Sequence, residues 1–351
     1  MKLAIVLLAW GLACPIASGA QSPAGQYLVW TMHHPQGVSS LAFSPDGKLL
    51  VAAYGDDGAG GMALWNLVSR KLVWRIEKRY GFTQVAFLGD GSRILSLDDS
   101  DTPRTLRIWD VKTHGVLKSA PNPKHLTIIC FAIAPNGGSV ALGTGDVERQ
   151  QPPQIIIWDM KTGAYRLITT FENADSVTSL SFSPDGGVVA GGGGDWDGDT
   201  SQIKIRDLTA RRTMADLFPV SEGAPVQVAF APMGRLLAVA GDFIGLLDTI
   251  GKRKYRLPLQ SDAHAVAFSP LGEYLASDDL DKNNHALIKL WLVKTRHLVT
   301  TIKTNSDAQI NALSISPHGR LLAAASQDGS VRLWRLTPAG EESSAIQSSG
   351  R

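Results

Sequence analysis

The chain has little cysteine, few aromatic residues and no excess of one charge. Two of its 351 residues are cysteine, 7% are aromatic, and 34 Lys and Arg residues stand against 32 Asp and Glu. A net charge of +2 on a chain of this size gives no overall basic field that would draw it to nucleic acid or to anionic lipid. With 44% hydrophobic residues the chain can bury a large core, so its composition excludes a disordered protein.

Long hydrophobic runs are also missing. The apolar run from Leu3 to Ala13 has 11 residues, whereas a helix needs about 20 to span a bilayer. Small residues at Ser18 and Ala20 follow this run, so residues 1–20 are predicted to be a signal peptide that is cleaved after Ala20. Lipidation of Cys14 is the alternative. We expect a periplasmic or secreted protein without a membrane-spanning helix, and no amphipathic stretch suggests that it lies on a bilayer.

Cleavage would leave Cys130 as the one remaining cysteine, so an internal disulfide is impossible. Cys130 lies in the apolar run from Thr127 to Ile133. We therefore expect a buried, inert thiol.

Glycine and proline, by contrast, are abundant and evenly spread, with 35 and 18 copies. This distribution indicates many turns between short strands, as in an all-β protein. A turn like Ser44-Pro45-Asp46-Gly47 recurs seven times, with glycines at Gly47, Gly91, Gly137, Gly186, Gly234, Gly272 and Gly319. The period of 38 to 49 residues is typical of a propeller blade.

Each repeat has the same predicted contents. The turn joins two antiparallel strands because Pro presets φ, Asp caps the turn and Gly accepts a positive φ. In the first repeat the later strands are predicted at Leu49 to Tyr54, Met62 to Leu67 and Lys71 to Ile76. Four strands per repeat make one twisted sheet.

The third strand of most repeats ends in tryptophan. Five repeats have it in register, at Trp65, Trp109, Trp158, Trp291 and Trp334, whereas Arg206 and Leu247 replace it in the fourth and fifth. Here the chain resembles the WD-repeat family over residues 27 to 336, which implies a seven-bladed β-propeller. The hydrogen-bond network of that family, from His through Ser/Thr and Asp to Trp, is incomplete in this sequence. The first repeat, which has His34, is its one candidate for a complete network.

The ends of the chain predict how the ring closes. The seventh repeat lacks a fourth strand, and Tyr27 to Met32 matches fourth strands elsewhere. Pairing the two removes exposed sheet edges. The domain prediction is therefore a signal peptide at 1–20, a seven-bladed propeller at 21–338, and a disordered, Ser-rich tail at 339–351.

The loops between second and third strands hold 15 of the 32 acidic residues. The propeller architecture brings these loops to one face, which we expect to bind a basic or extended protein or peptide segment. One structural Asp per blade explains about half of these acids, and simple solvation of the rest is the alternative. The predicted binding residues are Asp57, Asp99, Asp101, Asp195, Trp196, Asp197, Asp199, Asp279 and Asp281.

Some of these acids alternate along their loops, as ligands of Ca²⁺ do. Counted from Asp195, however, Thr200 and Arg206 stand where a calcium loop needs Gly and Glu. No cofactor is therefore predicted, and calcium is the alternative. Trp196 has two interpretations, either an exposed binding residue or a ring that fills the place left by the missing strand Trp.

Histidine allows an enzyme as the second function class. His33, His34, His125, His264 and His285 map to the acidic face, where His and Asp at the mouth of the channel suit a metal-assisted hydrolase or lactonase. No spacing matches a metal-ligand or nucleophile motif. The sequence thus favours a non-catalytic interaction platform, with the hydrolase as the alternative and no nucleic acid as partner.

Overall fold

The computed structural model describes residues 27–55, 58–99, 104–120, 126–145, 151–172, 174–195, 201–217, 227–249 and 254–336. These residues form 28 β-strands and contain no helix. The strands group into seven antiparallel blades of four, as predicted, and the single pair Gly145 and Ser176 joins the third and fourth blades into one sheet. We label the strands of a blade a to d from the central channel outwards.

Blade 1 consists of β2 (Val38–Phe43), β3 (Leu49–Gly55), β4 (Gly60–Asn66) and β5 (Lys71–Lys78). Blade 2 consists of β6 (Phe82–Phe87), β7 (Arg93–Asp98), β8 (Thr105–Asp110) and β9 (Val116–Ala120). Blade 3 consists of β10 (Thr127–Ile133), β11 (Ser139–Gly145), β12 (Gln154–Asp159) and β13 (Tyr165–Thr170). Blade 4 consists of β14 (Ser176–Phe182), β15 (Val188–Gly194), β16 (Ser201–Asp207) and β17 (Arg212–Leu217).

Blade 5 consists of β18 (Gln227–Phe230), β19 (Leu236–Ala240), β20 (Ile244–Asp248) and β21 (Lys254–Leu257). Blade 6 consists of β22 (Val266–Phe268), β23 (Tyr274–Leu280), β24 (Ala286–Leu292) and β25 (His297–Lys303). Blade 7 consists of β26 (Ile310–Ile315), β27 (Leu321–Ser326), β28 (Ser330–Arg335) and, as strand d, β1 (Tyr27–His33).

Strand β1 closes the ring. It pairs antiparallel with β28, from Tyr27 opposite Arg335 to His33 opposite Ser330. Met32 is 2% exposed and packs in one cluster with Val331 and Leu333. The predicted closure by the first strand is confirmed, and the strand extends one residue further, to His33.

Two kinds of connection divide the propeller into two faces. The turns between strands a and b, and between c and d, lie on what we call the turn face. The b–c loops and the connections between blades lie on the opposite loop face. All seven predicted turn glycines have positive φ, between 66° and 92°, and the carboxylate of Asp46 accepts a hydrogen bond from the Ser44 hydroxyl at 2.7 Å. The predicted turn chemistry is therefore confirmed.

The core lies between the blades. Seven clusters of buried apolar residues each draw on two neighbouring blades. Trp158 and Trp291 are among the largest side chains in these clusters and are at most 2% exposed. Every blade thus buries its apolar faces against two others, and the free energy of this burial holds the ring together.

The hydrogen-bond network of the strand tryptophans is present only in part. The indole N–H of Trp109 donates to the Ser96 hydroxyl at 2.7 Å, and that of Trp291 donates to Ser277 at 3.0 Å. Blade 1 differs from the expectation that it is the most complete. Ala52 stands where a serine is needed, and neither the Trp65 indole nor the His34 ring has a hydrogen-bond partner among the described residues.

Candidate binding surface

The loop face is less acidic in the structure than the sequence suggests. Eight of its fifteen predicted acids fall in the described residues, and three of these eight are buried: Asp98, Asp278 and Asp279. They belong to the ends of strands b rather than to exposed loops. A buried carboxylate needs a positive partner or hydrogen-bond donors.

Asp98 has two positive partners. Its carboxylate is fully buried and pairs with Lys78 from blade 1 and with Arg107 from the neighbouring strand. The Lys78 ammonium also lies 5.8 Å from the ring centroid of Trp109. Asp98 therefore joins blades 1 and 2 and contributes little charge to the surface.

Asp279 corrects the prediction of an exposed binding loop. It is 1% exposed, on β23, and pairs with Lys289. Its carboxylate also accepts hydrogen bonds from the backbone N–H groups of Gln260 and Ser261, at 3.1 and 2.9 Å, and from the Ser261 hydroxyl at 2.9 Å. These bonds fix the connection from blade 5 to blade 6, which is a structural role.

A sequence signal for these ion pairs exists and was missed. In three blades a basic residue stands two positions before the strand Trp: Arg107, Lys289 and Arg332. Arg332 donates to Asp328 at 3.0 Å. Burial raises the pKa of Asp328, but hydrogen bonds from Ser330, Ser306 and Arg332 outweigh this effect and hold the pKa well below its ordinary value of 3.8.

Asp281 lines a cavity of about 440 Å³ in the loops of blade 6, together with His285, Lys303 and Asp307. His285 Nδ1 lies 3.0 Å from Asp281 Oδ2, and its Nε2 lies 3.4 Å from Asp307 Oδ1. The hydrogen bond with Asp281 raises the pKa of His285. Asp281 also accepts the backbone N–H of Asn283 at 2.7 Å, so its carboxylate shapes the loop as well as facing the cavity.

A second loop-face cavity, of about 410 Å³, lies beside blade 1. Polar and charged residues line it together with less polar ones: Gln36, Glu77, Lys78 and Arg79 beside Pro35 and Tyr54. Tyr54 is 1% exposed, and its ring contacts the His34 ring at an interplanar angle of 34°, with ring centroids 4.8 Å apart. Within the described residues the loop face therefore offers at least two separate cavities rather than one uniformly acidic surface.

The central channel is polar but carries little charge. Its cavity of about 330 Å³ is lined mainly by Ser, Thr, Gln and Asn, with His264 as its one ionisable imidazole among the lining residues. His264 Nδ1 lies 3.4 Å from Asp278, and this hydrogen bond raises the pKa of His264.

Outside the channel, burial lowers the pKa of His34, beside Tyr54, to about 4. Within the described part of the chain, no group of three His, Cys, Asp or Glu residues is arranged to hold a metal ion.

The channel wall also contains a belt of inter-blade hydrogen bonds that the sequence analysis missed. Seven residues before the turn glycine, successive blades place Ser40, Gln84, Cys130, Ser179 and Gln227. Each bonds to the backbone of the next blade: Ser40 to Val85, Gln84 to Phe131, Cys130 to Val177, Ser179 to Val228, and Gln227 to Val266. Ala265 and Ala312 occupy this position in blades 6 and 7, and Asn311 bonds instead to Val38 of blade 1, at 3.0 Å.

Cys130 is a member of this belt. Its thiol donates to the Val177 carbonyl at 3.2 Å, and burial raises its pKa to about 12. The predicted burial of Cys130 is confirmed, and the inertness of its thiol stays a prediction that the raised pKa supports.

The other predicted binding residues divide into two groups. Asp99 is partly exposed and pairs with Arg104, and Asp195 lies at the end of a described segment. Asp57, Asp101, Trp196, Asp197 and Asp199 lie outside the described residues. In blade 4 the position of the strand Trp is filled by Arg206, which is 8% exposed and donates to the Thr169 hydroxyl at 2.9 Å. The alternating acids Asp279 and Asp281 have different partners, so the described residues do not bring them together as cation ligands.

Comparison with known proteins agrees with the fold. The model of the WD domain, G-beta repeat, matches residues 22–59, 165–200 and 296–335. The chain is also 31% identical over 119 residues to the small ribosomal subunit protein RACK1z of Oryza sativa subsp. japonica, a match that covers 31% of this chain and 34% of that protein. The match thus spans about a third of the relative.

No helix in the described ranges is long and apolar enough to cross a membrane.

Proposed function

We propose that this protein with WD40 repeats is a non-catalytic interaction platform in an exported compartment, and that it binds a protein or peptide segment on its loop face. Its WD40 repeats and its similarity to RACK1z support a role as a protein-interaction scaffold. The observation that carries the proposal is the closed ring, in which β1 completes blade 7 and the belt of hydrogen bonds joins successive blades. A rigid support lets the loops bind with little loss of conformational entropy.

The two loop-face cavities are the proposed contact places. In the first cavity the carboxylates of Asp281 and Asp307 face the ammonium group of Lys303 and the imidazole of His285, and while that imidazole is neutral the excess negative charge favours a basic side chain of the partner. The second cavity pairs Glu77 with basic neighbours and suits a polar or backbone group. Asp195 ends a described segment of blade 4, and the acidic sequence that follows it is proposed as a further contact for a basic segment.

Site-specific photo-crosslinking in cells that express the chain tests this proposal. A photoreactive amino acid at Gln36 or Asp307 should give protein adducts, whereas the same amino acid at Lys161, on the turn face of blade 3, should give none. Adducts should weaken when Asp195, Trp196, Asp197 and Asp199 are all replaced by alanine. Adducts from Lys161 alone, or none from the loop face, would contradict the proposal.

The exported location is tested separately. The protein recovered outside the cytoplasm should begin at Gln21 when its N-terminus is sequenced. A lipid-modified N-terminus at Cys14 would favour the alternative, and a protein that stays in the cytoplasm with Met1 retained would refute export.

A further inference from the structure

The a–b turns of blades 5, 6 and 7 differ from those of the other blades. At the third position of this turn, blades 1 to 4 have Asp46, Asp90, Asn136 and Asp185. The next three blades have Met233, Leu271 and His318. Three consecutive blades therefore lack the Asp or Asn that occupies this turn position in blades 1 to 4.

Two of these replacements are exposed apolar side chains. Met233 and Leu271 are each 66% exposed. Their turns touch, because a Cβ added at Gly272 would lie 3.9 Å from the Met233 Cβ. Neither side chain can accept the hydrogen bonds that Asp46 accepts from Ser44 and from the Lys48 N–H. Replacing a capping Asp by Met or Leu therefore adds no described contact that would stabilise the folded chain.

The same part of the turn face is basic. In the described turns and adjoining strand ends of blades 5 to 7, the acids are Asp248 and Glu273. The basic residues there are Arg235, Lys254, Lys294, Arg296, Arg320 and Arg335. No described carboxylate lies within 4.0 Å of Arg235, Lys294 or Arg320, although the charge of Arg235 helps to lower the pKa of Asp185 on the neighbouring turn of blade 4. We call Met233, Leu271, Arg235, Lys294 and Arg320 the turn patch.

We propose that the turn patch docks on an anionic lipid bilayer. Its apolar groups are flexible aliphatic side chains at the tips of turns, and its cations lie in the turns of the same three blades. This arrangement lets the tips enter the boundary between headgroups and acyl chains while the cations meet lipid phosphates. Protein interfaces also favour Met and Arg, but Trp and Tyr dominate their binding energy, and none of the five residues of the turn patch is aromatic. The patch combines turns from three repeats, so no single stretch of sequence is amphipathic.

Sedimentation with lipid vesicles tests the proposal and does not depend on the proposed loop-face partner. The purified chain should bind phosphatidylcholine vesicles that contain about one third phosphatidylglycerol, and bind pure phosphatidylcholine far less. The double variant Met233→Asp and Leu271→Asp should lower the partition coefficient about tenfold. These substitutions restore the residue type of blades 1 and 2, so the melting temperature should not fall. The pair Arg235→Glu and Arg320→Glu should have a comparable effect on binding.

Two loop-face changes serve as matched controls. Tyr80→Asp removes a 37% exposed ring, and Arg79→Glu reverses a charge. Both should leave vesicle binding unchanged. Equal binding to both kinds of vesicle, or an equal loss from the loop-face controls, would overturn the proposal. So would absence of vesicle binding together with patch-dependent binding to polyglutamate or to duplex DNA, which would assign the patch to another class of macromolecule.

Discussion

Replacing Met32 by alanine measures how much the closing strand contributes to stability. Met32 is 2% exposed and packs against Val331 and Leu333 across the seam. Shortening a buried methionine costs about 2–5 kcal/mol, because apolar contacts are lost and a cavity is left. The backbone pairing of β1 with β28 stays intact, so the effect reports side-chain packing at the seam.

Leu28 in the same strand is the matched control, since its side chain is 52% exposed. Leu28→Ala should change the free energy of unfolding by less than about 0.5 kcal/mol. Urea denaturation followed by tryptophan fluorescence gives both values. Equal midpoints for the two variants would refute the view that the seam carries a full share of the core, and deletion of residues 27–33 with an unchanged melting temperature would refute closure itself.

Three further predictions follow from buried groups. Lys289→Met leaves the Asp279 carboxylate buried without its cation and should cost about 3–5 kcal/mol in denaturant unfolding; Asp279→Asn in the same chain should restore part of that loss, and no restoration would contradict the pairing. The pKa of His34 is lowered from 6.5 to about 4 because the neutral ring is buried. The unfolded chain therefore binds this proton more readily, and the unfolding free energy should fall by about 3 kcal/mol as the pH drops through that interval; a pH profile that His34→Phe leaves unaltered would refute this. Cys130, with a pKa of about 12, should resist iodoacetamide in the folded protein and react after denaturation; rapid labelling of the native chain would show that the thiol is accessible.

The architecture could be predicted from the sequence because it repeats. The turn glycines need positive φ wherever they occur, and seven copies at blade spacing leave few other folds. Arg206 and Leu247 did not disturb the prediction, since the strand pattern around them persists.

The charge exposed on the loop face was harder to predict than the fold, because it depends on the direction in which each acidic side chain points. Asp279 and Asp281 are two residues apart. Asp279 lies within β23 and pairs with Lys289, whereas Asp281 accepts a backbone hydrogen bond that shapes the following loop. Their local sequence is acidic in both cases. Only the position of the cation on the next strand tells them apart, and that pairing depends on the register between β23 and β24.

The turn patch shows the same limit in another form. Met233 and Leu271 are separated by a whole blade in the chain, and each alone is an ordinary exposed apolar residue. They become neighbours because the ring places successive a–b turns side by side.

The seam in blade 7 has a practical consequence for anyone who handles this protein. Tyr27 lies opposite Arg335, so the first described strand starts and the last one finishes on the turn face. An affinity tag or fluorescent domain joined directly before Tyr27 or directly after Leu336 would stand on that side, and a surface that captures the tag would leave the opposite side open to solution. Immobilised protein is thus suited to screening loop-face ligands, whereas vesicle experiments need a label inserted in a b–c loop.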